Sequence, residues 1–275
     1  TATSGPGFSL GCEAMSYMSA ASLPSVIVDV MRPGPADGEI LGSQGDYFQL
    51  TKGGGHGDYR TIVLAPYSVQ EYADFAPLSF ELAEKYLNPV VVASDGTLSK
   101  MMENVVLPGR SQGPARQDWA VDGMHGRSHR NDITTCGDGP EQWEKFNLHL
   151  QAKYAQIREN EQRWEEYNTD DADIIIVAFG VYSRVCMDAM KMAREKGLKV
   201  GLLRPITLWP FPVKAFEKFS GKKYFVTELN SGQMVEDVKL AVKDTDRDNV
   251  EFYGRLGGIT PSPMEIYNKL CELYL

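Results

Sequence analysis

The sequence predicts an α/β protein of two domains with mostly parallel sheets, and three observations carry that reading. Short runs rich in β-branched and aromatic residues, such as Ser25 to Val30 and Ile174 to Phe179, read as strands buried on both faces. Helical stretches separate these runs, the alternation that builds a parallel sheet covered by helices. Between about Pro108 and Asn168 the character changes, dividing the chain into residues 1–107, a linker and surface helix at 108–170, and a second domain at 171–275. With 275 residues, 43% of them hydrophobic, the chain suffices for two cores.

Taken in order, Thr1 to Gly7 reads as the end of a strand turning into a helix rather than as a beginning, so sequence upstream of Thr1 is expected. A small-residue helix follows from about Phe8 to Ala21, then the Ser25 to Val30 strand. After a long glycine-rich loop, Thr61 to Ala65 is a short strand. Ser68-Val69-Gln70-Glu71 has the form of a capping box opening a helix to about Tyr86, and Pro89 to Ala93 is the next strand. Gly, Arg, Gln and Asp dominate up to Gly139. Loops of such length inside compact domains are usually functional, so the segment is expected to contact a partner, as is its charged part from Arg110 to Asn131. Glu141 to Tyr167 reads as one long charged helix. In the last hundred residues Ile174 to Phe179, Lys199 to Leu203, Tyr224 to Glu228 and Val250 to Tyr253 are strands, each followed by a helix. The last helix opens with Ser262, Pro263 and Glu265 as a second capping box.

Composition excludes several function classes. A net charge of −9 without any long basic run argues against nucleic acid or an anionic membrane as partner. The longest apolar stretches fall far short of the roughly 20 residues of a membrane span, and no signal peptide opens the chain, so a cytoplasmic location is expected. Cys12, Cys136, Cys186 and Cys271 form no C-x-x-C pair, and His125, His129 and His149 with Cys136 fit no zinc spacing, so no metal site is assigned. There is no G-x-S-x-G, Walker A, H-E-x-x-H or complete G-x-G-x-x-G fingerprint.

Three glycine-rich loops are the candidate sites, each placed after a predicted strand, where open α/β sheets bind ligands. In the first, Ser4-Gly5-Pro6-Gly7, glycine permits close backbone approach and the next helix offers its N-terminal N–H groups; helix–strand packing explains such a turn equally well. In the second, Arg32 stands at a strand end before Pro33-Gly34-Pro35, a rigid frame for a bidentate donor to carboxylate or phosphate, with a structural ion pair as the plainer alternative. The third, Gly53-Gly54-Gly55-His56-Gly57, suits an anion nest or a backbone pressed against another chain, and His56 in such a loop is more often structural than catalytic.

Together these strings, with Ile62 to Glu71, Leu203 to Pro212 and Val226 to Gln233, resemble the α-type subunit of 2-oxoacid:ferredoxin oxidoreductases. Asp46 to Gln49 and Lys52 to Tyr59 are most similar to the 2-ketoisovalerate, branched-chain type. The resemblance implies a thiamine-diphosphate-binding fold of the pyrimidine type followed by a transketolase C-terminal-like α/β domain. It implies CoA-dependent oxidative decarboxylation of a 2-oxoacid, best 3-methyl-2-oxobutanoate, with electrons passing to ferredoxin. A β-type partner subunit would hold the diphosphate, Mg²⁺ and a [4Fe-4S] cluster, with γ and δ subunits completing some complexes. Arg32 would clamp the substrate carboxylate, Ser4, Gly5, Pro6 and Gly7 would line the cofactor pocket, and Gly34, Pro35, Gly55 and His56 would form substrate or partner loops. The family's activating glutamate and its Tyr-Pro-Ile-Thr-Pro loop would lie upstream of Thr3, so this polypeptide is expected to be inactive alone. Pro33 after Arg32, and Asp37 and Glu39 nearby, depart from the family pattern and leave 2-oxoglutarate and pyruvate open as substrates. A non-catalytic assembly module on the same scaffold is the reading from a different class.

Overall fold

The computed structural model describes residues 1–109 and 117–274; the expectation for the charged stretch that begins at Arg110 therefore lies partly outside the described residues. The first sheet takes β1 (Ala2–Thr3), β2 (Ser25–Met31), β3 (Ile62–Leu64) and β4 (Pro89–Asp95), with α1 (Pro6–Ala20), α2 (Tyr47–Thr51) and α3 (Val69–Tyr86) between them. The second domain follows α4 (Pro140–Asn160) and contains β5 (Trp164–Tyr167), β6 (Ile174–Val177), α5 (Tyr182–Glu195), β7 (Val200–Pro205), β8 (Thr207–Trp209), β9 (Lys223–Glu228), α6 (Met234–Ala241), β10 (Val250–Gly254) and α7 (Pro263–Tyr274). The strand orders are β1-β2-β4-β3-β8 and β10-β9-β6-β7-β5. All neighbours run parallel except β8 against β3 and β5 against β7, so the expected mostly parallel sheets are present.

The cores follow from the strand composition. β4 and β6 are buried along their whole length, as strands covered on both faces must be, and each reads as an unbroken apolar run at its centre. Ser68 caps α3 by accepting the Glu71 N–H at 3.1 Å, and Ser262 does the same for Glu265 at 3.2 Å. Neither capping box closes in the usual way. Glu71 turns to the Tyr67 N–H and to Arg204, while Glu265 turns to Tyr253 and Arg255.

Three features correct the sequence reading. The stretch read as one helix to Tyr167 ends at Asn160, and residues 164–167 form an edge strand. Its charges mislead because their partners are distant in sequence: Glu165 meets Arg204, and Glu166 pairs with Lys218. Next, α4 is more than a surface helix. Leu150, Tyr154 and Ile157 share one buried stripe, and Tyr154 meets the Trp209 ring edge-on at 5.9 Å. Finally, a strand that was not anticipated, β8, leaves the second domain to complete the first sheet, with Ala65 donating to the Ile206 carbonyl at 2.8 Å beside it. Three residues are too few for a period to register.

Crossing groups join the two domains firmly. Arg204 of β7 is fully buried, forks onto both Glu71 oxygens at 3.0 and 2.6 Å and lies 4.1 Å over the Tyr67 ring. The wholly buried Gln44 donates to the Phe179 carbonyl at 2.9 Å and accepts from the Leu229 N–H at 2.9 Å, while its backbone carbonyl accepts from Asn230 at 2.7 Å.

Candidate active site between the two domains

The strand ends and the clasp around Gln44 enclose a cavity of about 930 Å³ at the domain junction. From the first domain come Gly5 and Pro6 at the start of α1, Arg32 to Ala36 just beyond β2, and Ser43, Gly45 and Asp46 before α2. From the second come Leu229, Asn230, Ser231 and Gln233 after β9, and Leu256 and Gly257 after β10. Each strand contributes through the loop at its carboxyl end, where open parallel sheets hold ligands.

Local chemistry explains the wall. Gly5 has φ +48°, a left-handed conformation, and an added Cβ would come within 3.0 Å of Arg32 Nε, so glycine here lets the guanidinium lie against the turn. Pro6 opens the helix at a position where no backbone donor is needed. On the opposite wall Glu228, fully buried at the end of β9, accepts the N–H groups of Gln233, Met234 and Val235 and the Asn230 amide. Burial raises its pKa although these bonds pull the other way. Fixed in this way, Gln233 accepts the Phe48 N–H at 2.8 Å and donates to the Gly45 carbonyl at 2.8 Å.

The electrostatics are unusual. Among the described residues lining the cavity Arg32 is the single cation, its Nε is buried without a partner, and it forms no hydrogen bond or ion pair with any described residue. Beneath it lie Asp46, with one buried oxygen unpartnered, and Asp29 of β2, with both oxygens buried and unpartnered. Burial first, then the Asp46 charge, push Asp29 up to about 8. Burial also raises Asp46, opposed by the neighbouring Asp29 carboxyl and by the Arg32 charge. An unpaired guanidinium with an open face at a cavity wall binds carboxylate or phosphate oxygens.

The residues singled out from sequence divide. Gly5, Pro6, Arg32, Gly34 and Pro35 come together on this cavity. Ser4 and Gly7 shape the turn without lining it: Ser4 accepts the Gly7 N–H at 3.0 Å, and a Cβ on Gly7 would meet Thr3 Oγ1 at 2.2 Å. Gly55 and His56 are elsewhere. A Cβ on Gly55 would meet the Cys12 carbonyl at 2.6 Å, so the loop is glycine because it is pressed against α1. His56 lines a separate cavity of about 270 Å³ with Ser16, Trp143 and Phe146; seven residues of helix from Ser9 to Ser16 put the two about 10 Å apart. Sequence reasoning missed Asp29, Asp46, Asn230 and Gln233. No local pattern brings Asn230 and Gln233, nearly two hundred residues further along the chain, onto the same cavity as Asp46.

A ligand cleft at strand ends between two parallel-sheet domains defines the class, and comparison with known proteins makes it specific. The thiamine diphosphate-binding domain of pyruvate flavodoxin/ferredoxin oxidoreductases matches residues 1–169, and the pyruvate:ferredoxin oxidoreductase core domain II matches residues 172–266. The chain belongs to this oxidoreductase family. It is 46% identical to the ketoisovalerate oxidoreductase subunit VorB of Methanothermobacter marburgensis, covering 99% of this chain and 77% of that one. It is 34% identical to the 2-oxoglutarate synthase subunit KorA of Methanocaldococcus jannaschii, covering 97% and 78%. The 2-oxoglutarate:ferredoxin oxidoreductase of Magnetococcus marinus, solved with 2-oxoglutarate, coenzyme A and succinyl-CoA bound, superposes with a TM-score of 0.82 at 26% identity. The chain covers about half of that longer one, 52%, with 99% of its own length. Among the described residues no helix is long and apolar enough to cross a membrane.

Proposed function

We propose that this chain is the α-type subunit of a 2-oxoacid:ferredoxin oxidoreductase that decarboxylates a branched-chain 2-oxoacid, best 3-methyl-2-oxobutanoate, with coenzyme A as acyl acceptor and ferredoxin as electron acceptor. A single observation carries the reading: one unpaired guanidinium, Arg32, faces an interdomain cavity otherwise rich in apolar and small residues. One cation suits one carboxylate. A dicarboxylate would call for a second cation, and the described residues of this wall supply none; Leu10, Pro35, Leu229 and Leu256 suit a branched alkyl group instead.

In this reading Arg32 grips the substrate carboxylate and sets the orientation of the adjoining carbonyl. Gly5 and Pro6, with the first-turn N–H groups of α1, face the aminopyrimidine side of thiamine diphosphate, and Ser4 and Gly7 hold that turn. The partnerless Arg32 Nε and the cavity's volume fit a ligand larger than the 2-oxoacid alone. Thiamine diphosphate, when bound, supplies the carbanion-stabilising chemistry. A β-type partner holds the diphosphate, Mg²⁺ and a [4Fe-4S] cluster, and the complex works in the cytoplasm.

The test is 2-oxoacid- and coenzyme-A-dependent reduction of a low-potential viologen by the complex, with 3-methyl-2-oxobutanoate, 2-oxoglutarate and pyruvate in parallel. The branched acid should be preferred, and Arg32→Ala should lower its kcat/KM by about a hundredfold, the worth of two charge-assisted hydrogen bonds at about 1.4 kcal/mol per decade. A preference for 2-oxoglutarate, or an Arg32→Ala complex of unchanged kcat/KM, would overturn the proposal.

A further inference from the structure

The carboxylates beneath Arg32 are not used by the function above, and their surroundings are peculiar. Asp29 lies on β2 in the first sheet, opposite Thr3 of β1 and Ala93 of β4, and is fully buried. No described donor reaches either of its oxygens. Asp46, at the N-cap of α2, is the group it meets, and Asp46 also lines the cavity and feels the Arg32 charge. The other titratable groups facing the pair do not neutralise it. Cys12 of α1 carries a thiol that burial holds protonated, Tyr72 of α3 carries a phenol that burial likewise holds protonated, and Asp95 at the end of β4 is occupied by the Thr97 and Leu98 N–H groups at 2.7 and 3.1 Å.

Two carboxylates in contact in a buried site do not both ionise at ordinary pH; they share a proton. We propose that Asp29 and Asp46 act as one proton-sharing pair that positions Arg32, with Asp29 keeping Asp46 from capturing the guanidinium so that it stays open to the substrate carboxylate. The inference rests on the reading of Arg32 as the carboxylate clamp. With one proton between them the pair carries one negative charge, spread over two side chains, against the single positive charge of Arg32. Loss of that proton to solvent doubles the negative charge below the guanidinium, draws it down towards Asp46 and repels an incoming anion. Binding of a 2-oxoacid should therefore weaken as the pair ionises, while an uncharged step later in turnover is spared. Asp29 is a positioning residue: it acts on substrate only through Asp46 and Arg32.

The test uses the assembled complex with the preferred 2-oxoacid, measuring KM and kcat between pH 6.5 and 9.5. For the wild type KM should rise about tenfold above pH 8 with little change in kcat. Asp29→Asn keeps a donor to Asp46 but cannot ionise, so its KM should stay level across the range. An independent readout needs no turnover: the infrared band of a protonated carboxyl, present at pH 7, should disappear from the wild-type-minus-variant difference spectrum by pH 9.5. A KM profile of Asp29→Asn that climbs like the wild type, or no protonated-carboxyl difference at pH 7, would overturn the pair. Failure of the clamp itself is distinguishable, because then Arg32→Ala leaves KM unchanged while the infrared difference persists. If Asp29→Asn misfolds, Asp29→Glu in the same two measurements decides, with a displaced but surviving pH dependence expected and its absence counting against the pair.

Discussion

Replacing Arg204 by Met should cost about 3 kcal/mol and loosen the union of the two domains. The guanidinium is fully buried, bonds both Glu71 oxygens at 3.0 and 2.6 Å, donates from Nε to Glu165 at 3.1 Å and stacks on Tyr67. Breaking a buried ion pair by deleting one partner costs about 3–5 kcal/mol, because the abandoned charge has nowhere to go. Glu165 has a side chain 39% exposed and regains water, whereas Glu71 at 16% does not, which places the cost at the lower end. Glu71 keeps the Tyr67 N–H at 2.9 Å, a partial compensation. For a chain of this size about 3 kcal/mol corresponds to a fall in Tm of roughly 6–12 °C. Circular-dichroism melts of the purified chain measure it. Arg204→Lys keeps the charge and loses the fork, so it should fall between the two. Adding Glu71→Gln to Arg204→Met should recover part of the loss by removing the stranded charge. A wild-type Tm in Arg204→Met, or equal damage from Lys and Met, would refute the argument that the paired, forked charge holds the domains together.

Two further outcomes are expected. Burial lowers Lys153 to about 8, so the folded chain binds fewer protons than the unfolded one between about pH 8 and pH 10.4; the penalty is full below pH 8 and vanishes above pH 10.4. Lys153→Met should therefore stabilise at pH 7, by about 1 kcal/mol against a ceiling of roughly 3 because the lost bond to the Leu87 carbonyl at 3.2 Å offsets part, and denaturant midpoints should cross as pH rises, leaving the wild type the more stable by pH 10.5. Gly38 has φ +52° and an added Cβ would lie 1.6 Å from the Pro33 carbonyl oxygen, so Gly38→Ala should open the loop behind Arg32 and raise the KM for the 2-oxoacid at least tenfold with kcat less affected; a KM within twofold of wild type would show that the loop does not hold the clamp.

Much of the fold was legible locally. Ile174 to Val177, Pro89 to Asp95 and the capped helices announce themselves because burial on two faces demands continuous apolar strands and because a cap is a contact between residues three apart. Arg32 and the turn at Gly5 were legible for a similar reason: a charged residue at a strand end and a glycine at a strand-to-helix turn are marks written in neighbouring positions. The resemblance to the oxidoreductase family rested on such marks as well.

What only the tertiary structure decided is everything that depends on residues distant in sequence. Trp164 to Tyr167 became a strand, against its charged composition, since Arg204 and Lys218 receive its acids and β7 receives its backbone. Thr207 to Trp209 crossed to the other sheet, where β3 offered an open edge. His56 turned away from the cavity because its glycines had to admit the Cys12 backbone, and Asp29 of β2 meets Asp46 before α2 beside Arg32, which follows β2. Sequence by itself determined which side chains were available for chemistry; distances, and the desolvation that raises Asp29, exist only once the chain has closed around them.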